Sequence, residues 1–142
     1  MKDVVDNVGP LLDAVARGDD PIAEAVELGE VAARVGFDWE RAVDALEKVS
    51  EEVEELAEVF ANEPVDVSSA QAELGDLLFA ACMVARKAGV DPAAALRQTN
   101  EKFRRRFHVI ELELERRGIS PESASLEQME AIWQASKRRE PA

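Results

Sequence analysis

Two acidic pairs, Glu52-x-x-Glu55 and Glu73-x-x-Asp76, stand on consecutive stretches of helical periodicity and fix much of what this chain can fold into. Residues three apart on an α-helix share a face. If the two helices pack antiparallel, the four carboxylates converge on one point. Without a cation such a cluster repels itself, so the pattern favours a hard divalent metal with oxygen ligands. Taken alone, each acidic run also reads as a solvated helix face. On the first helix the apolar stripe is Leu46, Val49, Val53, Leu56 and Phe60. Glu51 and Glu58 fall opposite that stripe, Glu54 is the weaker choice for a site, and Glu52, Glu55 and Lys48 flank the stripe. On the second helix Glu73 and Asp76 flank a Leu74/Leu77/Ala81/Val84 stripe in the same way. The run Leu77 to Ala85 is apolar on every face, which predicts a helix buried nearly all round. A carboxylate at that edge is costly unless paired or metal-bound. The competing account puts Glu73 and Asp76 in a first helical turn, where the helix dipole favours acids.

Glycine and proline punctuation divides the rest. Residues 3–17 carry Val4, Val5, Val8, Leu11, Leu12 and Val15 at helical spacing. Asp20-Pro21 reads as the N-cap and first-turn pair of a second helix that ends near Arg34, before Gly36. Asp38 reads as the next N-cap, with Trp39 in the first turn of a third helix running to about Ala61. Ser68 and Gln71 form a capping box for a fourth, which stops at Gly89. Asp91-Pro92 opens a fifth reaching Arg117, and Ser125 with Gln128 opens a last one to about Arg138. No stretch alternates at period two. The expectation is an all-α fold without a β-sheet, as a single domain over 1–142: N-terminal helices in 1–35, a helical core carrying both acidic pairs in 36–118 and a C-terminal helix in 119–142.

Composition narrows the function classes. A formal net charge of -13 argues against non-specific binding to nucleic acid or to an anionic membrane. It does not oppose an anionic ligand, because a metal and a few local cations invert the field of a site. Cys82 stands alone in an apolar run, so it forms no intrachain disulfide and reads as a small buried hydrophobe. No signal peptide is visible, and the longest apolar run, Leu77 to Ala85, is too short to span a bilayer; the cytoplasm is the expected compartment.

Cations follow on the fifth helix. Lys102 and Arg106 lie i, i+4 beside a Phe103/Phe107/Ile110/Leu114 stripe. They suit surface pairs with acids, or phosphate oxygens held by a bidentate guanidinium and a point charge. Trp133 and Lys137 repeat the spacing on the last helix, where Trp133 suits a core or a base-stacking surface equally. The lone His108 faces outward and carries no role, and the chain lacks the Glu-x-x-His motifs of di-iron carboxylate bundles.

In order, the blocks Ala33-Arg-Val-Gly-Phe-Asp-Trp39, Glu52-x-x-Glu55, Glu73-Leu-Gly-Asp-Leu-Leu-Phe79, Asn100-Glu-Lys-Phe103, Arg105-Arg-Phe107 and Met129-Glu with Trp133 resemble the MazG family of nucleoside triphosphate pyrophosphohydrolases, specifically its C-terminal catalytic domain. The resemblance covers about residues 30–138. It implies a MazG-like all-α bundle completed by homodimerisation. It implies Mg²⁺-dependent hydrolysis of NTPs and dNTPs, with Mn²⁺ as a substitute, to monophosphate and pyrophosphate by water attack at the α-phosphorus, as nucleotide-pool house-cleaning. Glu52, Glu55, Glu73 and Asp76 would hold the metal and position the water, with Glu52 or Glu55 accepting its proton. Lys48, Lys102 and Arg106 would neutralise the triphosphate. Trp133 and Lys137 would lie near the nucleotide, and Asn100 matches a further family block. Many family members carry two tandem domains; this sequence has one copy. Two other readings stand beside this one: a narrow pyrophosphatase for dUTP, dCTP or a damaged nucleotide on the same scaffold, and a non-catalytic helical dimerisation module.

Overall fold

The computed structural model describes residues 10–140, and among them it contains helices and no strand. The helices are α1 (Pro21–Ala33), α2 (Ala42–Phe60), α3 (Val67–Ala88), α4 (Pro92–Arg116) and α5 (Leu126–Arg139), preceded by a single 3-10 turn at Leu11–Ala14. The all-α expectation holds. Of the helix expected over 3–17, residues 3–9 lie outside the described residues, and the remainder is only that turn. Pro10 and Val15, on either side of the turn, both have extended backbone, so the turn stays isolated. The chain divides into two compact units, Met1–Ala93 and Ala94–Ala142.

In the first unit α2 and α3 form a hairpin around the connection 61–66, and α1 packs on α3. Asp20 accepts the Ala23 N–H and Pro21 follows it, as its residue types predict. Two other starts differ from the sequence reading. Helix α2 begins at Ala42 rather than Trp39, because the Asp38 carboxylate is taken by the Arg86 guanidinium and by Lys87 Nζ at 3.1 Å. Arg41 takes the N-cap position instead, and its backbone N–H and guanidinium both donate to the Asp44 carboxylate. Helix α3 is capped by Asp66, not Ser68: a carboxylate accepts from both Ser68 N–H and Ser69 N–H and is the stronger acceptor. Desolvation pushes the Asp38 carboxyl up, but the hydrogen bonds from Arg86 and Lys87 outweigh it and hold it below its ordinary value.

The core of this unit is Ala25, Cys82 and Met83, with Ile22, Val26 and Trp39 against it. Burial of Cys82 agrees with its reading as a small hydrophobe and raises its thiol pKa. The expectation of a fourth helix buried all round is corrected: α3 buries Ala80, Cys82 and Met83, while Leu74, Leu78 and Phe79 are exposed. On α2 likewise Leu46, Val53 and Phe60 of the expected stripe are exposed. Periodicity marks an apolar face but does not supply what covers it. By length and composition alone α3 is also apolar enough to cross a membrane. Its Glu73 and Asp76 would be costly in lipid.

In the second unit α4 and α5 meet through Ile110, Leu114 and Ile132, flanked by Val109, Ile119, Ala124, Met129 and Trp133. Ser125 and Gln128 form the predicted capping box. The α4 stripe is buried only at this end; Phe103 and Phe107 stack on each other in exposed positions, with Phe103 also against Trp133.

Helices α1 and α3 approach closely at Gly29. A Cβ there would lie 2.5 Å from Met83 Sδ and 2.9 Å from Arg86 Nε, and Met83 is 1% exposed, so it has no room to retreat. Gly75, on α3, has open space around it. Gly75→Ala should stabilise the protein by about 0.5–1 kcal/mol through helix propensity. Gly29→Ala makes the same gain but overpacks the core, and should be net destabilising by roughly 1–2 kcal/mol in urea unfolding. Equal stability of the two variants would contradict the close approach.

Candidate metal centre

Antiparallel return of the chain at 61–66 places the inner flank of α2 against that of α3. One oxygen each from Glu52, Glu55 and Glu73 then lies within 4.8 Å of the others. Glu52 is 4% exposed, Glu73 is half-buried and Glu55 is open to water. Asp76 is exposed and lies outside this group. Because α3 starts at Val67, Glu73 and Asp76 both sit beyond its first turn. The helix dipole acts within that first turn and so does not account for them.

The Oε2 atoms of Glu52 and Glu73 are buried and have no hydrogen-bond partner among the described residues. An unsatisfied buried acceptor is costly, and two on converging carboxylates more so. This donor set, three hard carboxylates of which two also hold a buried oxygen without a partner among the described residues, fits a divalent cation such as Mg²⁺ or Mn²⁺. The same crowding raises the Glu73 pKa. A hydrogen bond shared with Glu55 contributes most, followed by desolvation and by the charges of Glu55, Asp76 and Glu52. Asp76 thus acts on the cluster through its charge.

Lys48 lies one turn before Glu52 on α2, with Nζ 3.3 Å from Glu52 Oε1 and 3.2 Å from Glu51 Oε2. Hydrogen bonds to Glu51 and then Glu52 raise its pKa, so it is charged throughout the neutral range. The remaining residues singled out in the sequence belong to the second unit. Arg106 lies 5.5 Å from the Trp133 ring centre and is held bidentately by Glu140, Nε to Oε1 at 3.0 Å and Nη2 to Oε2 at 2.6 Å. The Arg106 hydrogen bond lowers the Glu140 pKa, against desolvation, and the charges of Arg106, Arg105 and Lys102 add to it. Lys102 is half-buried, whereas Lys137 and Asn100 are exposed. Sequence reasoning missed Glu140 because it falls just past the last helix, and its partner is 34 positions away.

A helical protein that turns carboxylates from both arms of a hairpin onto one point has the makings of a metal-binding site. Residues 40–110 match the family model of the MazG nucleotide pyrophosphohydrolase domain, and the chain belongs to that family. It is 37% identical over 129 residues to the nucleoside triphosphate pyrophosphohydrolase of Escherichia coli (strain K12), an alignment covering 91% of this chain and 49% of the relative. It is 33% identical over 133 residues to the nucleoside triphosphate pyrophosphohydrolase/pyrophosphatase MazG of Thermotoga maritima, covering 94% and 48%. The chain thus spans about half the length of these relatives.

The Glu73 shift fixes the sign of a pH effect. A carboxyl whose pKa is raised by folding binds its proton more tightly in the folded state, so metal-free stability falls as pH rises above the unfolded value, near 4.3. Glu73→Gln removes that cost. In EDTA at pH 7 the variant should melt above the parent, and the gap should close below about pH 4. A variant that melts lower at pH 7 would show that the carboxylate is stabilising without metal.

Proposed function

We propose that the protein hydrolyses nucleoside triphosphates, NTPs and dNTPs alike, to monophosphate and pyrophosphate, with Mg²⁺ held by Glu52, Glu55, Glu73 and Asp76. The carrying observation is the convergence of carboxylates with unsatisfied buried oxygens on α2 and α3. That hairpin lies within the segment matched by the family model. The names of the two relatives support the choice of substrate.

When bound, Mg²⁺ supplies charge neutralisation at the phosphoryl oxygens and a more acidic water. Glu52 holds an orphaned oxygen inward and ties the other to Lys48, which makes it a ligand rather than a base. Glu55 is open to solvent beside it, and we assign it the proton of the attacking water. Lys48, already charged and at the edge of the cluster, faces the phosphates. Within the second unit the proposal takes Arg106 and Lys102 as phosphate contacts, Trp133 and Lys137 as nucleotide contacts and Asn100 as a further one. In that role a phosphate takes the guanidinium fork that Glu140 occupies. The exposed Leu46, Val53 and Phe60 on α2 and Leu74, Leu78 and Phe79 on α3 support homodimerisation, since so many large apolar side chains on one helical hairpin are rarely left in water. The proposed setting is the cytoplasm, where it would clear the nucleotide pool.

Pyrophosphate release from a panel of NTPs and dNTPs, with Mg²⁺ and with EDTA, tests this reading. Metal-dependent release is expected, with kcat lowered at least about 100-fold in each of Glu52→Ala, Glu55→Ala, Glu73→Ala and Asp76→Ala. Near-parental rates in two of these would remove the metal assignment. Absence of release from a folded dimer would favour the dimerisation module, and release from one nucleotide alone the narrow enzyme. A second measurement concerns the fork: Glu140→Gln should lower KM several-fold with kcat unchanged, and Arg106→Ala should raise it. An unchanged KM in Glu140→Gln would mean that phosphate does not compete for Arg106.

A further inference from the structure

We propose that the loop between α1 and α2 carries the nucleobase subsite of this reaction, with the Phe37 ring as its stacking platform; the proposal rests on the function proposed above. Phe37 is 81% exposed, more than any other large hydrophobic residue among those described. It has no aromatic partner among the described residues, whereas Trp133 already contacts Phe103 at 5.4 Å and Arg106 at 5.5 Å.

The loop that presents this ring is fixed on both sides. Gly36 takes a positive φ of 90°, which turns the chain, and the Phe37 N–H donates to Ala32 O at 3.1 Å. Asp38 is tied to Arg86 and Lys87 on α3, and Trp39 packs on the Ala25/Cys82/Met83 core. An apolar ring held outward by a rigid support loses little freedom when a ligand covers it.

Its position argues for the base. Gly36, Phe37, Asp38, Trp39 and Lys48 line a pocket of about 380 Å³. Lys48 belongs both to this pocket and, through its 3.3 Å pair with Glu52, to the edge of the carboxylate cluster. Through Lys48 the pocket adjoins the edge of the carboxylate cluster. A nucleotide whose phosphates meet Lys48 at that edge has its base to place nearby, and this is the pocket that shares Lys48. Pyrophosphate is the poorer occupant, because the pocket offers it one ammonium and sets the Asp38 carboxylate beside it. Stacking on a phenyl ring reads no base edge, so the subsite should accept purines and pyrimidines alike.

The test uses the full chain with Phe37→Ala, Phe37→Leu and Phe37→Trp, reading KM and kcat for a purine and a pyrimidine triphosphate, the dissociation constant of an α,β-methylene analogue by calorimetry, and mass by sedimentation. Ala and Leu should raise KM and the analogue's dissociation constant about tenfold with kcat within about twofold, and Trp should restore both. The Mg²⁺-induced rise in Tm should be intact in all three variants. Unchanged affinity in Phe37→Ala overturns the subsite and leaves the reaction standing. Leu performing as well as Phe overturns the stacking role, and a smaller sedimenting species for Phe37→Ala reassigns the ring to a subunit contact. Tight analogue binding by the parent without turnover would instead sink the reaction while the variants still test the subsite. No analogue binding by the parent overturns both.

Discussion

The pairing of α2 with α3 takes carboxylate oxygens of Glu52 and Glu73 out of water without giving them partners among the described residues, and the candidate site follows from that constraint. Solvated acids would cost the fold nothing and could bind a cation only weakly, because water would already satisfy them. Here the hairpin leaves an electrostatic deficit that a positive charge relieves. Lys48 relieves part of it at the rim, through one oxygen of Glu52. The raised Glu73 pKa is the visible residue of what is left.

A deficit of this kind must be offset elsewhere, and the first unit shows where. Asp38 locks the loop to α3 through Arg86 and Lys87, Asp66 and Asp20 cap their helices, and Gly29 lets α1 lie close on Met83. These features are locally consistent in the ordinary sense: each residue type does at its position what its chemistry favours. Local consistency fails at Glu52 and Glu73, and violations of that sort concentrate at functional positions.

Much of this was legible in the sequence, for reasons that differ by element. Asp20-Pro21 and Ser125 with Gln128 cap as expected because a cap is decided within one turn. The placement of Glu52, Glu55 and Glu73 on one side was legible because helical geometry is regular, and a wheel carries it across several turns. Asp38 was misread as a cap because its partners lie 48 and 49 positions away, a separation that no local rule reaches. Glu140 was invisible for the same reason. The α2 and α3 stripes were found, but their burial was overestimated: periodicity reports that Leu46, Val53 and Leu78 share apolar faces, and only tertiary structure reports whether a neighbour covers them.

Charge distribution links the site to the chain as a whole. A net charge of -13 repels a triphosphate at long range, so affinity has to come from short-range features. Screening helps, since at physiological ionic strength charges beyond about 8 Å are largely hidden. The local cations differ by unit: in the first, Lys48 stands at the carboxylate edge; in the second, Arg106 lies in a fork already shaped to a carboxylate by Glu140. Holding Arg106 against an internal acid keeps its guanidinium ordered over Trp133 without an unpaired charge on a half-buried face. Exchange of that carboxylate for a phosphate is one ion pair for another, which makes selectivity depend on the number of oxygens and the charge the incoming group brings rather than on the mere presence of an anion.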